Sequence, residues 1–175
     1  MKKEKLNSIF TIGHSTNTAE QFISLLKAHD IKQLIDIRTI PKSRHNPQFN
    51  KDALEKYIRS SGIGYRHMKN LGGLRHSRAN SINLGWNNLS FRGFADYMAS
   101  EEFAQALDSL INLAKKKKTA IMCAEALPWR CHRSLVADAL NRKKWKVFHF
   151  MSKNTASLHK MTPFLRIQKG KIVYP

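Results

Sequence analysis

The stretch TAIMCAEALPWRCHRSLVADALNR, residues 119–142, decides the fold. Thr119 to Cys123 is a short, almost continuous apolar run, the pattern of a strand buried on both faces. Ser134 to Arg142 then sets Leu135, Val136, Ala139 and Leu140 at helical spacing. Between them lies a loop dense in Glu, Cys, His and Arg. A buried strand, a polar loop and a helix make half of a βαβ unit, so the stretch predicts a parallel sheet covered by helices.

The same pattern extends to either side. Ser8 to Ile12 reads as a strand ending at Gly13-His14-Ser15. Thr18-Ala-Glu-Gln21 has the form of a capping box, and Phe22, Leu25 and Leu26 line one face of the helix that it opens. Leu34 to Ile37 is a second buried strand, ending in Asp36 and Arg38 and stopped by Pro41. A basic loop with Lys42, Arg44 and His45 follows. Lys51 to Ser61 is helical up to Gly62, and Ile63 to Met68 is a third strand. Lys69 to Ser90 has no period and holds Gly72, Gly73, Gly85, Arg75, His76 and Arg78. A loop of that length in a compact domain is functional or disordered. Phe91 to Ala114 is the longest helical region, with a break expected near Ser100. Lys115 to Lys118 close it, where cations suit a helix C-terminus. Trp145 to Phe150 is a fifth strand, and Arg166 to Tyr174 is a hairpin turning at Gly170. The expected fold is one α/β domain over residues 1–175. It has a mostly parallel central sheet of about five strands, flanked by helices in a Rossmann-like three-layer arrangement, and a small C-terminal hairpin.

A chain of 175 residues buries enough surface to fold without staples. Its two cysteines, Cys123 and Cys131, make no disulfide framework. Met1 to Lys5 is charged, and the apolar run after it is broken by Gly13 and His14, so neither a signal peptide nor a membrane span is expected. A reducing cytoplasm is the expected location. The balance of 31 Lys and Arg against 12 Asp and Glu gives a formal charge of +19. A field of that sign draws anions in. The expected partner is therefore an anionic ligand, DNA or RNA among the candidates, with solubility alone as the bland reading. Walker A and GxGxxG patterns are absent, so ATP and NAD have no support in the sequence. The cofactor and the oligomeric state stay open.

In a parallel sheet the strand ends share one edge, and ligands bind in the crevice outside it. Three polar clusters fall there. Gly13, His14 and Ser15 follow the first strand, Asp36 and Arg38 end the second, and Glu125 to Arg133 follow the fourth. Arg133 offers a planar fork for an anion at a helix start, with Arg38, Arg44 and Arg130 in support. Glu125 is a candidate general acid or base, His132 a proton shuttle, and His14 completes the pocket. Cys131, near a helix start and among cations, is a candidate thiolate. Each has a structural alternative: a packed thiol, a turn, or an ion pair between Asp36 and an arginine. Trp86 in the long loop is a candidate for stacking on a base. Cys123, Cys131 and His132 could be drawn as metal ligands, but the spacing is not that of a structural zinc site, so no metal is expected.

The set Thr11-Ile-Gly-His-Ser15, Asp36-Ile-Arg38, Pro41 with Ser43-Arg44, Gly62-Ile63 and Tyr65, Leu71-Gly-Gly73, Cys123-Ala-Glu125 and Cys131-His-Arg133 resembles the DUF488 family, a bacterial and archaeal family of uncharacterised function. The resemblance runs from about Phe10 to about Phe150. It implies a compact α/β fold. It places Gly13, His14, Asp36, Arg38, Glu125, Cys131, His132 and Arg133 on signature motifs, and it supplies no reaction. A looser likeness is to the rhodanese layout, an Asp-x-Arg strand and then a strand, a Cys, a loop and a helix. Its cradle would put an arginine where Trp129 stands. The leading expectation is an enzyme-like domain that binds a phosphate-containing ligand, nucleic acid or nucleotide, and acts as a hydrolase or transferase. The alternatives are a non-catalytic nucleic-acid-binding module and a cysteine-dependent transferase.

Overall fold

The structure is a computed structural model that describes residues 7–175; the charged stretch Met1 to Lys5 lies outside them. The chain runs through β1 (Ser8–Gly13), α1 (Ala19–Ala28), β2 (Gln33–Asp36), α2 (Lys51–Ser60), β3 (Gly64–His67), α3 (Leu89–Tyr97) and α4 (Glu101–Ala114). It continues through β4 (Thr119–Cys123), α5 (Arg133–Arg142), β5 (Lys146–Phe150), β6 (Ala156–Leu158), β7 (Arg166–Gln168) and β8 (Lys171–Val173). The main sheet has the order β3-β2-β4-β1-β5-β6. Its first five strands are parallel and β6 pairs antiparallel with β5. Strands β7 and β8 form the expected hairpin, turned by Lys169 and Gly170 at φ 48° and 77°, the positive-φ pair of a two-residue hairpin loop.

The order explains the layers. From β1 the chain steps outward to β2 and β3, then returns to β4 and crosses β1 to reach β5. Right-handed crossovers put helices of the two directions on opposite faces. Accordingly, Phe22, Leu26, Leu54 and Ile58 of α1 and α2 pack with Leu34, Ala120 and Met122 on one face. Phe94, Leu107, Leu110 and Leu135 of α3, α4 and α5 pack with Ile35, Ile121 and Val147 on the other. Adjacent strand residues thus feed opposite cores, as the period of two requires. The register Gly13↔Cys123 and Asp36↔Met122 levels the ends of β1, β2 and β4.

Helix starts follow local chemistry. Thr18 Oγ1 accepts from the Gln21 amide at 3.1 Å while Gln21 Oε1 accepts from the Thr18 amide at 2.9 Å, a complete capping box. The long helical region does break at Ser100, whose hydroxyl caps α4 through the Phe103 amide at 3.2 Å. The edge strand β6 goes beyond the five expected. Its three residues are all exposed, so no apolar run marks it.

The segment before α3 is fastened rather than loose. Buried Asp96 accepts from the Arg78 amide at 2.8 Å, the Ser81 hydroxyl at 2.6 Å and the Asn83 side-chain amide at 2.8 Å. Asn83 in turn accepts from the Tyr174 amide at 2.8 Å. Trp86 is not offered to a ligand's base. It packs among Phe91, Phe164 and Tyr174, because the C-terminal segment folds back over it. No helix among the described residues is long and apolar enough to cross a membrane.

Candidate functional site

A cavity of about 410 Å³ opens at the carboxyl ends of β2 and β4. Arg38 and Ile40 leave β2 along one wall, and Cys123 and Glu125 leave β4 along another. Arg130, Cys131 and His132 come from the head of α5, and the long segment closes the cavity with Gly73, Leu74 and Phe91. Five of the residues expected from the sequence therefore line one space: Arg38, Glu125, Arg130, Cys131 and His132.

Cys131 and His132 lie side by side in the cavity lining. His132 Nε2 lies 3.1 Å from the Ile37 carbonyl. A carbonyl only accepts, so Nε2 carries the proton, and Nδ1 presents a lone pair in the neutral ring. Burial pulls the His132 pKa down to about 4, with the Arg133 charge adding to the effect. That lone pair faces Cys131 Sγ at 3.6 Å. The first backbone N–H of α5, from Arg133, also points at this sulfur, at 3.4 Å. In the reduced chain this would set a thiol beside an imidazole that is itself oriented by a third group, the arrangement that can activate a nucleophile. Gly73 makes room for it, since a Cβ there would run into the imidazole. The structure joins the sulfurs of Cys123 and Cys131 as a disulfide on the same wall, so Cys131 is a thiol only in the reduced chain.

Arg38 is held in place by partners within the chain. Its Nε and one terminal nitrogen donate to the two Asp36 carboxylate oxygens at 2.9 and 2.7 Å, and that nitrogen also reaches the Phe49 carbonyl at 2.8 Å. Asp36 accepts the Tyr65 hydroxyl as well, at 2.8 Å, and the Tyr65 pKa is raised by burial and by this carboxylate. Asp36 therefore orients the arginine that lines the pocket and is itself fully buried. Arg130 and Glu125 stand exposed at the mouth.

The remaining expected residues, Arg44 excepted, buttress the pocket from behind. A Cβ on Gly13 would fall on the Glu125 carbonyl, so glycine lets β1 pass under the loop. The His14 amide donates to the Cys123 carbonyl and the Ser15 amide to the Ala124 carbonyl, both at 2.9 Å. The His14 ring stacks on Phe49 and donates through Nδ1 to the Ser15 carbonyl at 2.8 Å, and burial lowers its pKa. Ser15 makes the turn at φ 48°. Arg133, 1% exposed, faces away from the cavity. Its guanidinium donates to the Glu125 carbonyl at 2.6 Å, the Ala126 carbonyl at 3.2 Å and Thr11 Oγ1 at 3.3 Å. It ties down the loop that carries Glu125 instead of reaching into the pocket. Arg44 is exposed and outside the cavity lining.

Thr11 begins a buried chain that sequence reasoning did not find. The Thr11 hydroxyl donates to His149 Nδ1 at 2.7 Å, His149 Nε2 donates to His159 Nδ1 at 2.9 Å, and His159 Nε2 donates to Asp138 Oδ1 at 2.8 Å. This direction gives every ring nitrogen a partner, and burial lowers the pKa of His149 to about 3. The Thr162 and Tyr174 hydroxyls donate to Asp138 Oδ2 at 2.7 and 2.8 Å. A buried cation, Arg133, is thus linked by hydrogen bonds to a buried anion, Asp138. The four residues lie on three elements and a loop, so no spacing in the sequence marks them.

Among the described residues, no group of three or more His, Cys, Asp or Glu side chains could hold a metal ion. The model of a family described as "Domain of unknown function DUF488" matches residues 18–140. No curated protein and no solved structure matches the chain.

Proposed function

The chain belongs to the DUF488 family, and from the geometry of its strand-end pocket we propose that it is an enzyme in which Cys131 is the nucleophile and Arg38 and Arg130 hold an anionic substrate. The observation that carries this reading is the position of the Cys131 sulfur, between the lone pair of His132 Nδ1 and the N–H of Arg133, on the wall of a cavity with two guanidinium groups. The Cys131 thiolate, oriented by the His132 ring and the Arg133 N–H, attacks an electrophilic centre of the substrate, and the leaving group departs. Glu125, exposed at the mouth of the same cavity, serves as the second proton-transfer group. The excess of cations favours a phosphate-bearing substrate, a nucleotide or a nucleic-acid phosphate. A second reading, non-catalytic binding of nucleic acid, is favoured by the exposed run Lys115 to Lys118.

Alkylation tests the reading with one anionic and one neutral reagent. Iodoacetate and iodoacetamide are applied near neutral pH and each cysteine is followed by peptide mass. Cys131 should react at least about ten-fold faster than Cys123 and faster again in wild type than in His132→Ala. It should also prefer iodoacetate, and Arg130→Ala should erase that preference. A Cys131 that reacts no faster than Cys123 and shows no preference for the anion removes the proposal.

A further inference from the structure

We propose that Cys123 is the resolving thiol of this site, and that the substrate carries a sulfur–sulfur bond on an anionic molecule. The inference rests on the reading of Cys131 as nucleophile and adds the chemistry of its second half. Cys123 ends β4, and the Pro128–Arg130 turn brings the chain back so that Cys131, eight residues on, sets its sulfur against that of Cys123. Both line the same cavity. The polar partner of the Cys123 sulfur is the Glu125 carbonyl, at a distant 4.0 Å, so no strong bond ties Cys123 elsewhere.

This neighbour narrows the substrate. A hydrolase that works through a thiol adduct needs a water beside that adduct. Here the atom beside the Cys131 sulfur is another sulfur. Passing an acyl group from one thiol to the next leaves the adduct as it was, whereas a sulfenyl adduct is cleared by a second thiol. In the first step the Cys131 thiolate attacks XS–SY, forming Cys131–S–SX and releasing YS⁻, which takes up the proton that Cys131 gave up. In the second, Cys123 loses its proton and its thiolate attacks the Cys131 sulfur, forming the Cys123–Cys131 disulfide and releasing XS⁻, which takes up that proton. The two cysteines are oxidised by two electrons and the substrate S–S bond is reduced to two thiols. A small dithiol resets the pair by the same exchange in reverse. Arg38 and Arg130 account for the anionic carrier.

The reduced protein is mixed with 5,5′-dithiobis(2-nitrobenzoate), a dianionic disulfide with a coloured leaving group, and released thiolate and intact mass are recorded. Wild type should release two thiolates per chain, keep no adduct and lose two hydrogens. Cys123→Ser and Cys123→Ala should release one thiolate and keep the adduct on Cys131. Cys131→Ser should react at least about ten-fold more slowly in its first step. A wild type that retains its adduct on Cys131 as long as Cys123→Ser does overturns the resolving role while leaving the nucleophile in place. A Cys131→Ser variant as fast as wild type removes the nucleophile itself. Unfolding curves of each variant show that the fold is kept.

Discussion

His132 carries a consequence that can be read in acid. Its pKa lies near 4 and that of His149 near 3, against an ordinary 6.5, with burial the first cause in each case. Arg133 and Arg75 add to the cost of charging His132, and His159 and Arg133 add to that of charging His149, which Asp138 partly offsets. Above pH 6.5 both rings are neutral in the folded and the unfolded chain, and this contribution to stability is fully present. Below it the unfolded chain takes up protons first. Stability should therefore fall from about pH 6.5 towards about 4 for the one ring and about 3 for the other, by roughly 1.4 kcal/mol per pH unit for each. Denaturant unfolding at several pH values, with histidine ring chemical shifts followed in the folded protein, measures this. Stability that is flat between pH 6.5 and 5, or rings that charge near 6.5, would contradict it. At the same scale, Gly73→Ala should push the imidazole from its place. The expected loss is about 1–3 kcal/mol of stability, and Cys131 alkylation should slow with it. The Cys131-His132-Arg133 run stood out in the sequence because of its residue types, and two of the three line the cavity. The direction of Arg133 was not legible, since an arginine at a helix start can reach forward to a ligand or back to loop carbonyls, and the carbonyls of Glu125 and Ala126 decide the matter only in three dimensions.

At the scale of elements, α5 does two jobs. Its head carries Cys131 and His132, and its buried body carries Asp138 against the His159–His149–Thr11 chain that ends on Arg133. The chain stitches β1, β5 and the segment after β6 to α5, and it supports the arginine that holds the Glu125 carbonyl. Asp138→Asn keeps the shape but removes the anion and turns one acceptor into a donor. It should cost about 3–5 kcal/mol, the range for breaking a buried charge network from one side. It should also loosen the Glu125 loop, seen as faster amide exchange at residues 124–127. A loss under about 1 kcal/mol would mean that the chain is ornamental. The β1 to β5 strands and all five helices were legible because apolar runs and helical periods are written locally. The chain was not, because it depends on which buried faces meet. Nor was the fastening of residues 78–83, for it hangs on Asp96, a charge inside a helix with nothing in its neighbourhood to mark it as buried.

Over the whole molecule the sheet separates two kinds of positive charge. Arg38 and Arg130 stand at the carboxyl ends of the strands. Lys115 to Lys118 precede β4 and bound a separate shallow cavity with Asn7 and Ser8, at the amino ends. The opposite placement follows from the topology, since in a parallel sheet every helix-to-strand loop lies at the edge opposite the strand-to-helix loops. A formal charge of +19 gave no hint of this division, because a sum has no direction. The division makes a prediction about polymers. If the pocket takes a small anion, any binding of DNA or RNA falls to the lysine edge. Neutralising Lys115 to Lys118 should then weaken binding to a duplex and cut the slope of log affinity against log salt by about 3–4, while Arg130→Ala leaves both unchanged. Titrations of labelled single- and double-stranded DNA and RNA across a salt series decide it. The reverse result, with Arg130→Ala abolishing binding and the lysine variant silent, would mean that the nucleic acid enters the thiol pocket itself. The anion held by Arg38 and Arg130 would then be a phosphate of the polymer, and Cys131 would have to act on the nucleic acid or on something carried by it.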